Sequence, residues 1–213
     1  MKKVFALLLA AVLVISMAAC GETAETPATT TPATEPKAAE PMGTLYVTFG
    51  ATLEFVFDAE GNALSITGTN EIGKTLAAAK QDQVGKGCVF GLRAILRYAS
   101  DNNLLGDAKS MVIRVGAGEK LPSEDFLNTI ATDCQYLADE ECTGIQMFIA
   151  ADSKLDTQGN LTPDAAKALA IRFLGAAEAD ITGGDAAAEG VYTFTCGEET
   201  VTVDAFSGLV TKK

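Results

Sequence analysis

Between Thr44 and Ile149 the spacing of apolar residues switches repeatedly between about two and about 3.6, and this limits the fold more than any other feature. Tyr46-Val47-Thr48-Phe49 and Leu53-Glu54-Phe55-Val56-Phe57 are rich in β-branched and aromatic residues, which predicts strands. The turn Asp58-Ala59-Glu60-Gly61-Asn62 leads into Ala63–Thr67. There Leu64 and Ile66 alternate with Ser65 and Thr67, as in a half-buried hairpin strand. A short helix is predicted over Leu76–Lys80 and a longer one over Val84–Ser100. In the longer one Cys88, Val89, Leu92, Ile95, Leu96 and Ala99 share one stripe, and Asn102-Asn103 ends it. Met111–Val115 is a strand, followed by the turn Gly116-Ala117-Gly118. Ser123 is expected to cap the next helix, with Glu124 and Asp125 in its first turn, where acids favour the helix dipole. Its stripe is Phe126, Leu127, Ile130, Ala131, Cys134 and Leu137, and Ile145–Ile149 closes the unit as a strand. Three strands, helix, strand, helix, strand make an antiparallel or mixed sheet with helices on one face, so the class is α+β.

Residues 152–161 are polar and turn-rich and are expected to link this unit, 44–151, to a second one over 162–213. Thr162-Pro163-Asp164 starts a helix: Thr as N-cap, Pro at the first helical position, then an acid. Ala166, Leu169, Ala170 and Phe173 are its stripe and Gly175 its stop. Val191–Cys196, the turn Gly197-Glu198 and Thr200–Asp204 read as a hairpin. Ser207-Gly208 turns the chain into a short last strand, Leu209–Thr211. Gly183, Gly184 and three alanines make Asp180–Gly190 a weak strand candidate, which is expected to leave an edge of this small sheet under-paired.

Charge and residue types remove several function classes. Lys+Arg 16 against Asp+Glu 28 gives a net charge of −12, or −14 without Lys2 and Lys3, so nucleic acid is not an expected partner. The chain has no histidine, which removes the commonest general base and neutral metal ligand, and no tryptophan to serve as a sugar platform. The Asp58–Asn62 turn lacks the rest of a calcium loop, and in 152–161 Gln158 and Gly159 fall out of calcium-loop register. No metal and no cofactor is expected. Of five cysteines, Cys88, Cys134, Cys142 and Cys196 are free to pair or to stay buried as thiols. Cys134 and Cys142, eight residues apart across a helix end, are the candidate disulfide; the alternative keeps Cys134 as part of its helix stripe.

Lys2 and Lys3 precede an apolar run from Val4 to Val14, and Ser16-Met17-Ala18-Ala19-Cys20-Gly21 follows. A positive flank, a short apolar segment and small residues describe a secretory signal, too short to span a bilayer. Ending in cysteine, it resembles a bacterial lipoprotein signal over residues 1–19. The resemblance implies lipid on Cys20 and a mature chain on the extracytoplasmic side of the cell membrane. Residues 20–43, nearly all Thr, Ala, Pro and Glu, have no apolar set to bury and are expected to be a disordered tether.

Val47-Thr48-Phe49-Gly50-Ala51-Thr52-Leu53-Glu54-Phe55, the Asp58–Asn62 turn and Thr69-Asn70-Glu71-Ile72-Gly73-Lys74 resemble the extracytoplasmic middle domain of RsgI-type anti-sigma factors over about 44–151. Gly50-Ala51 stands where that family carries the Asn-Pro bond at which its members cut themselves. Gly50 has no side-chain amide, so this chain is expected to stay intact. Residues 160–213, ending in Asp204-Ala205-Phe206-Ser207-Gly208-Leu209-Val210, resemble a PepSY domain. That family implies interaction with peptidases or peptides.

Gly68-Thr69-Asn70-Glu71-Ile72-Gly73-Lys74-Thr75 spells a P-loop, whose chemistry is a backbone cradle for phosphates with Lys74 on the terminal ones. The strand before it belongs to a hairpin, and no apolar strand ends in a magnesium aspartate, so no nucleotide is expected. With no histidine and no Ser-x-x-Lys pair beside an oxyanion loop, no catalytic residues and no enzyme are expected. The expectation is a lipid-anchored α+β binding or regulatory module modulating a peptidase or another envelope protein. The alternative is a structural or sensory envelope protein whose RsgI-like part binds a wall polymer or envelope partner.

Overall fold

The turn at Asp58 sets the first sheet. Its Oδ1 accepts the N–H groups of Glu60 (3.0 Å) and Asn62 (2.8 Å), and Gly61 takes φ +79°, so β2 (Thr52–Phe57) folds back onto β3 (Ala63–Gly68). Phe57 faces Ala63 while Val56 faces Ser65, which leaves Leu64 unopposed as a bulge. The expected alternation of Leu64 and Ile66 therefore breaks: Ala63 and Ile66 enter the core and Leu64 stays half-buried. β1 (Gly43–Thr48) lies between β2 and β4 (Ser110–Val115), and β5 (Gln146–Ile149) joins β4 in parallel. The order β3-β2-β1-β4-β5 makes a mixed sheet.

The computed structural model describes residues 39–141, 143–185 and 189–213. The expected signal (1–19), the lipidation site Cys20, most of the tether and Cys142 lie outside the described residues. No helix among the described residues is long and apolar enough to cross a membrane.

Three helices cover one face of the sheet. α1 (Glu71–Ala79), α2 (Cys88–Asp101) and α3 (Phe126–Glu140) press Leu76, Leu92, Ile95, Leu96, Ile130 and Leu137 onto Leu45, Val47, Phe55, Phe57 and Ile113. Their apolar stripes fall where the 3.6 period puts them; their starts do not. α1 begins at Glu71, well before Leu76, because the Asn70 side chain caps it by accepting the Gly73 N–H at 2.8 Å. α2 begins at Cys88, not Val84. The Gly85 N–H is taken by the Ala63 carbonyl (2.7 Å) and the Lys86 carbonyl by the Ala63 N–H (2.8 Å), and Gly85 has φ +86°. α3 begins at Phe126, whose N–H bonds the Ser123 carbonyl (3.2 Å). The expected Ser123 cap is absent, and the residue at the cap position, Asp125, makes no side-chain cap bond.

The C-terminal part follows its local signals closely. α4 (Pro163–Leu174) is capped by Thr162 Oγ1, which accepts the Ala165 N–H at 3.4 Å, and stops at Gly175 in the left-handed region. β7 (Val191–Cys196), β8 (Glu199–Asp204) and β9 (Val210–Lys212) form an antiparallel sheet. The edge expected to be open is partly filled: β6 (Thr182–Gly183) pairs with Thr195 and Phe194 of β7. Gly184 lies so close to the Phe194 ring, and Gly183 to the Thr193 carbonyl, that a Cβ at either would overlap them. Glycine weakens strand propensity here yet permits this contact.

The core of this part, with Leu161, Leu169, Tyr192, Phe194, Val201 and Val203, also takes in Val112, Phe148 and Ala150 from the first sheet. Residues 38–213 cluster as one compact unit, and the expected linker is a tight Asp156 turn closed by a Leu155–Leu161 bridge.

Candidate functional site: the cleft where the two parts meet

Two glycines of the P-loop-like pattern have a packing role. A Cβ on Gly68 would overlap the Gly73 backbone, and one on Gly73 would overlap the Thr52 carbonyl. The end of β3, the first turn of α1 and the start of β2 are in backbone contact there. Asn70 ties the three together: besides Gly73, its Oδ1 accepts the Thr52 N–H (3.0 Å), and its Nδ2 donates to the Gly50 carbonyl (2.7 Å). Lys74 points to solvent and pairs with Glu71 at 2.8 Å. Asn70 thus fixes the β1–β2 turn, Phe49-Gly50-Ala51, at one end of the sheet.

That turn is one wall of a cleft of about 310 Å³. Leu105–Ser110, between α2 and β4, forms the second wall, α4 supplies Leu169 and Phe173, and Gly208–Lys212 closes the far side. The β8–β9 turn is held by Asp204, whose Oδ1 accepts both the N–H (2.6 Å) and the hydroxyl (2.7 Å) of Ser207. Gly208 follows at φ +73°, pressed onto the sheet: a Cβ there would come within 2.9 Å of Val112 and 3.2 Å of Leu169. The lining is mainly apolar, with Thr48, Ser110 and Thr211 among its polar members and Lys109, Lys212 and Asp107 as its charges. Ser110 Oγ is buried with no hydrogen-bond partner.

Four residues further along the same face of β4, Arg114 is only 1% exposed. Its Nη1 donates to the Phe206 carbonyl at 2.7 Å, and its guanidinium lies 4.3 Å from the Phe206 ring and 5.6 Å from that of Tyr46. Nε has no partner. Burial pulls its pKa below the ordinary arginine value, while Tyr46, Asp156, Asp204 and Glu119 act in the opposite sense. Among the described residues, Ser110 Oγ and Arg114 Nε are the two unpartnered buried side-chain polar atoms. They flank Val112, the residue on which Gly208 sits.

The sheet edges differ in how they are finished. β5 is closed by side chains: Gln135 Oε1 accepts the Met147 N–H (2.9 Å), Arg172 donates to the Met147 carbonyl (3.3 Å) and Lys154 to that of Ile149 (2.8 Å). Lys154 and Arg172 also stack on Phe148, at 4.2 and 5.5 Å. β3 is closed at Ala63 by the 85–86 backbone and at Ile66 by Gln81 Nε2 (3.1 Å). β9 is different. Leu209 and Lys213 bond β8 through Asp204 and Thr200, and Thr211 sits opposite Thr202, so Val210 and Lys212 turn their N–H and C=O groups outward. Among the described residues, nothing bonds those groups.

Of the cysteines, Cys88 and Cys134 are fully buried free thiols in α2 and α3. Burial, aided by Asp58 beside Cys88 and Asp133 beside Cys134, pushes both up to about 12. Cys196 is a half-buried free thiol at the end of β7. For the candidate Cys134–Cys142 pair the structure supplies one member only, since Cys142 lies outside the described residues. Among the described residues, no three His, Cys, Asp or Glu side chains gather as a metal site. A second hollow, of about 360 Å³, lies on α2 beside the exposed Phe90, but its two arginines are matched, Arg93 by Asp133 (3.7 Å) and Arg97 by Glu140 (3.6 Å) and Glu141 (3.2 Å), and its Lys80 lies over the Tyr98 ring at 4.7 Å.

The sequence pattern singled out neither Arg114 nor the cleft. Arg114 reads as an ordinary polar residue in a strand, and the cleft draws on four segments far apart in the chain. Asn70 had a readable signal, an Asn-Glu pair ahead of a helical run. No family model matches this chain, and comparison with curated proteins returns no match.

Proposed function

We propose that the chain is an extracytoplasmic lipoprotein, held at the cell membrane by lipid on Cys20, whose folded part is a non-enzymatic binding or regulatory module for a peptidase or another envelope protein. The observation that carries this reading is the apolar cleft between the RsgI-like part and the PepSY-like part, because a concave, mostly apolar surface with a few convergent polar groups is the usual form of a binding site. The cysteine signal supports the anchor. The lack of histidine, with two core thiols pushed to about 12, supports binding over catalysis.

Two measurements test it. Cys20→Ala should leave an uncleaved precursor or release protein to the medium; a variant that fractionates and migrates like wild type refutes the anchor. A photo-crosslinking residue at Asp107, on the cleft rim, should capture one envelope protein in intact cells, whereas the same residue at the exposed Tyr136 of α3 should not. Equal capture from both sites, or from neither, refutes the module.

A further inference from the structure

We infer that the bare edge of β9 and the cleft beside it form one site, which takes an extended peptide segment carrying a bulky apolar residue followed by acidic ones. The inference deepens the binding-module reading and rests on it. The other long edges of the fold are covered in part, by Gln135, Lys154 and Arg172 on β5 and by Gln81 and the 85–86 backbone on β3, whereas no side chain or loop among the described residues meets the outward groups of Val210 and Lys212. An extended segment laid along β9 satisfies those groups with its own backbone, the bonding pattern of strand addition.

The same strand lines the cleft, so a side chain projecting from the added segment meets Leu169, Phe173 and Leu105. About 310 Å³ suits one or two large aliphatic side chains rather than a folded surface. Ser110 Oγ, buried and unpartnered in that lining, is a ready donor to a peptide carbonyl entering with it. Lys109 lines the cleft and makes no ion pair among the described residues, on a chain of net charge −12, which selects acidic flanking residues. Lys212 is already paired with Glu199, so Lys109 carries this selection.

A second copy of this chain is a poor occupant. Joining β9 to β9 about a two-fold axis brings the Lys212 side chains of both copies to one short edge, and it brings together two molecules each carrying −12.

The test uses the full chain in detergent micelles and a fluorescein-labelled heptapeptide, Thr-Val-Leu-Val-Glu-Asp-Thr. Saturable binding is expected. Methylating alternate backbone nitrogens of the peptide should weaken it about tenfold or more, with no change to the protein. Val210→Pro deletes one outward N–H without touching the β8 ladder and should weaken it similarly. Lys109→Glu should weaken this peptide and strengthen the version with Lys-Lys in place of Glu-Asp. Failure of wild type to bind, or N-methylated peptide binding as well as the parent, overturns the inference. A cellular partner captured at Asp107 that the peptide does not compete away overturns it too, while leaving the binding-module reading standing. Peptide binding with no cellular capture does the reverse.

Discussion

Gly73→Ala sets two effects against each other. Gly73 lies in the first turn of α1, where alanine is favoured over glycine by about 1 kcal/mol. Opposing this, the new Cβ would overlap the Thr52 carbonyl and lie 2.9 Å from Asn70 Oδ1. Strain from such overpacking costs about 1–3 kcal/mol. Relieving it moves Asn70, which forfeits the helix cap, worth about 1 kcal/mol. It also forfeits the bonds to the Thr52 N–H and the Gly50 carbonyl, each worth about 1 kcal/mol. The close approach wins, leaving a net loss of about 2 kcal/mol, or roughly 4–8 °C in Tm for a unit of this size. Thermal melts followed by circular dichroism, with urea titration alongside, measure it. Lys74→Ala is the control: it removes only the exposed pair with Glu71 and should cost about 0.3 kcal/mol. If Gly73→Ala melts at or above wild type, the backbone contact is not what requires glycine, and the argument fails.

Three further outcomes are expected. Tyr192→Phe removes the buried bond from the Tyr192 hydroxyl to the Leu161 carbonyl (2.8 Å) and should cost about 1–2 kcal/mol in a urea titration; a neutral result would mean that the carbonyl finds water. Iodoacetamide on the native protein should leave Cys88 and Cys134 unmodified and react with Cys196 first, with the two core thiols labelled only after unfolding; mass spectrometry of the digested protein decides this. The Asp156 carboxylate is held below its ordinary value of 3.8, chiefly by the Asn160 N–H and also by that of Gln158, so its contribution is present above that pH and lost as pH falls through the lower folded-state value. Asp156→Asn should therefore be less stable than wild type at neutral pH and converge with it in acid; a constant gap between the two acid-unfolding curves contradicts the assignment.

Elements specified by neighbouring residues were legible in advance. Thr162, Pro163 and Gly175 bracket α4 with chemistry that acts within one turn, and the structure places the helix between them. The stripes of α2 and α3 were readable because periodicity averages over many residues. What escaped depended on remote partners. Val84 to Gly87 is expected to open the helix, but two of its four residues are glycine and Ala63 takes the backbone groups of Gly85 and Lys86. Leu64 loses its core position to a bulge decided by pairing with Val56 and Phe57. Gly183 and Gly184 look like strand breakers until Phe194 lies against them. The cleft was least legible of all, since its other walls read as surface turns and the stripe of α4 does not say which neighbour it meets.

The bond from Arg114 to Phe206 spans 92 residues. Without residues 161–210, Val112, Phe148 and the Arg114 guanidinium lose most of their cover, and the N-terminal part cannot complete its own sheet surface. Completing that surface requires contacts between distant parts of the chain, and loop closure over such a separation is slow compared with forming the local hairpins. Deleting residues 204–213 would remove the last residue of β8, the whole β8–β9 turn and all of β9. It would strand an adhesive intermediate for proteases and aggregation to claim, although the whole helix-covered core remains encoded.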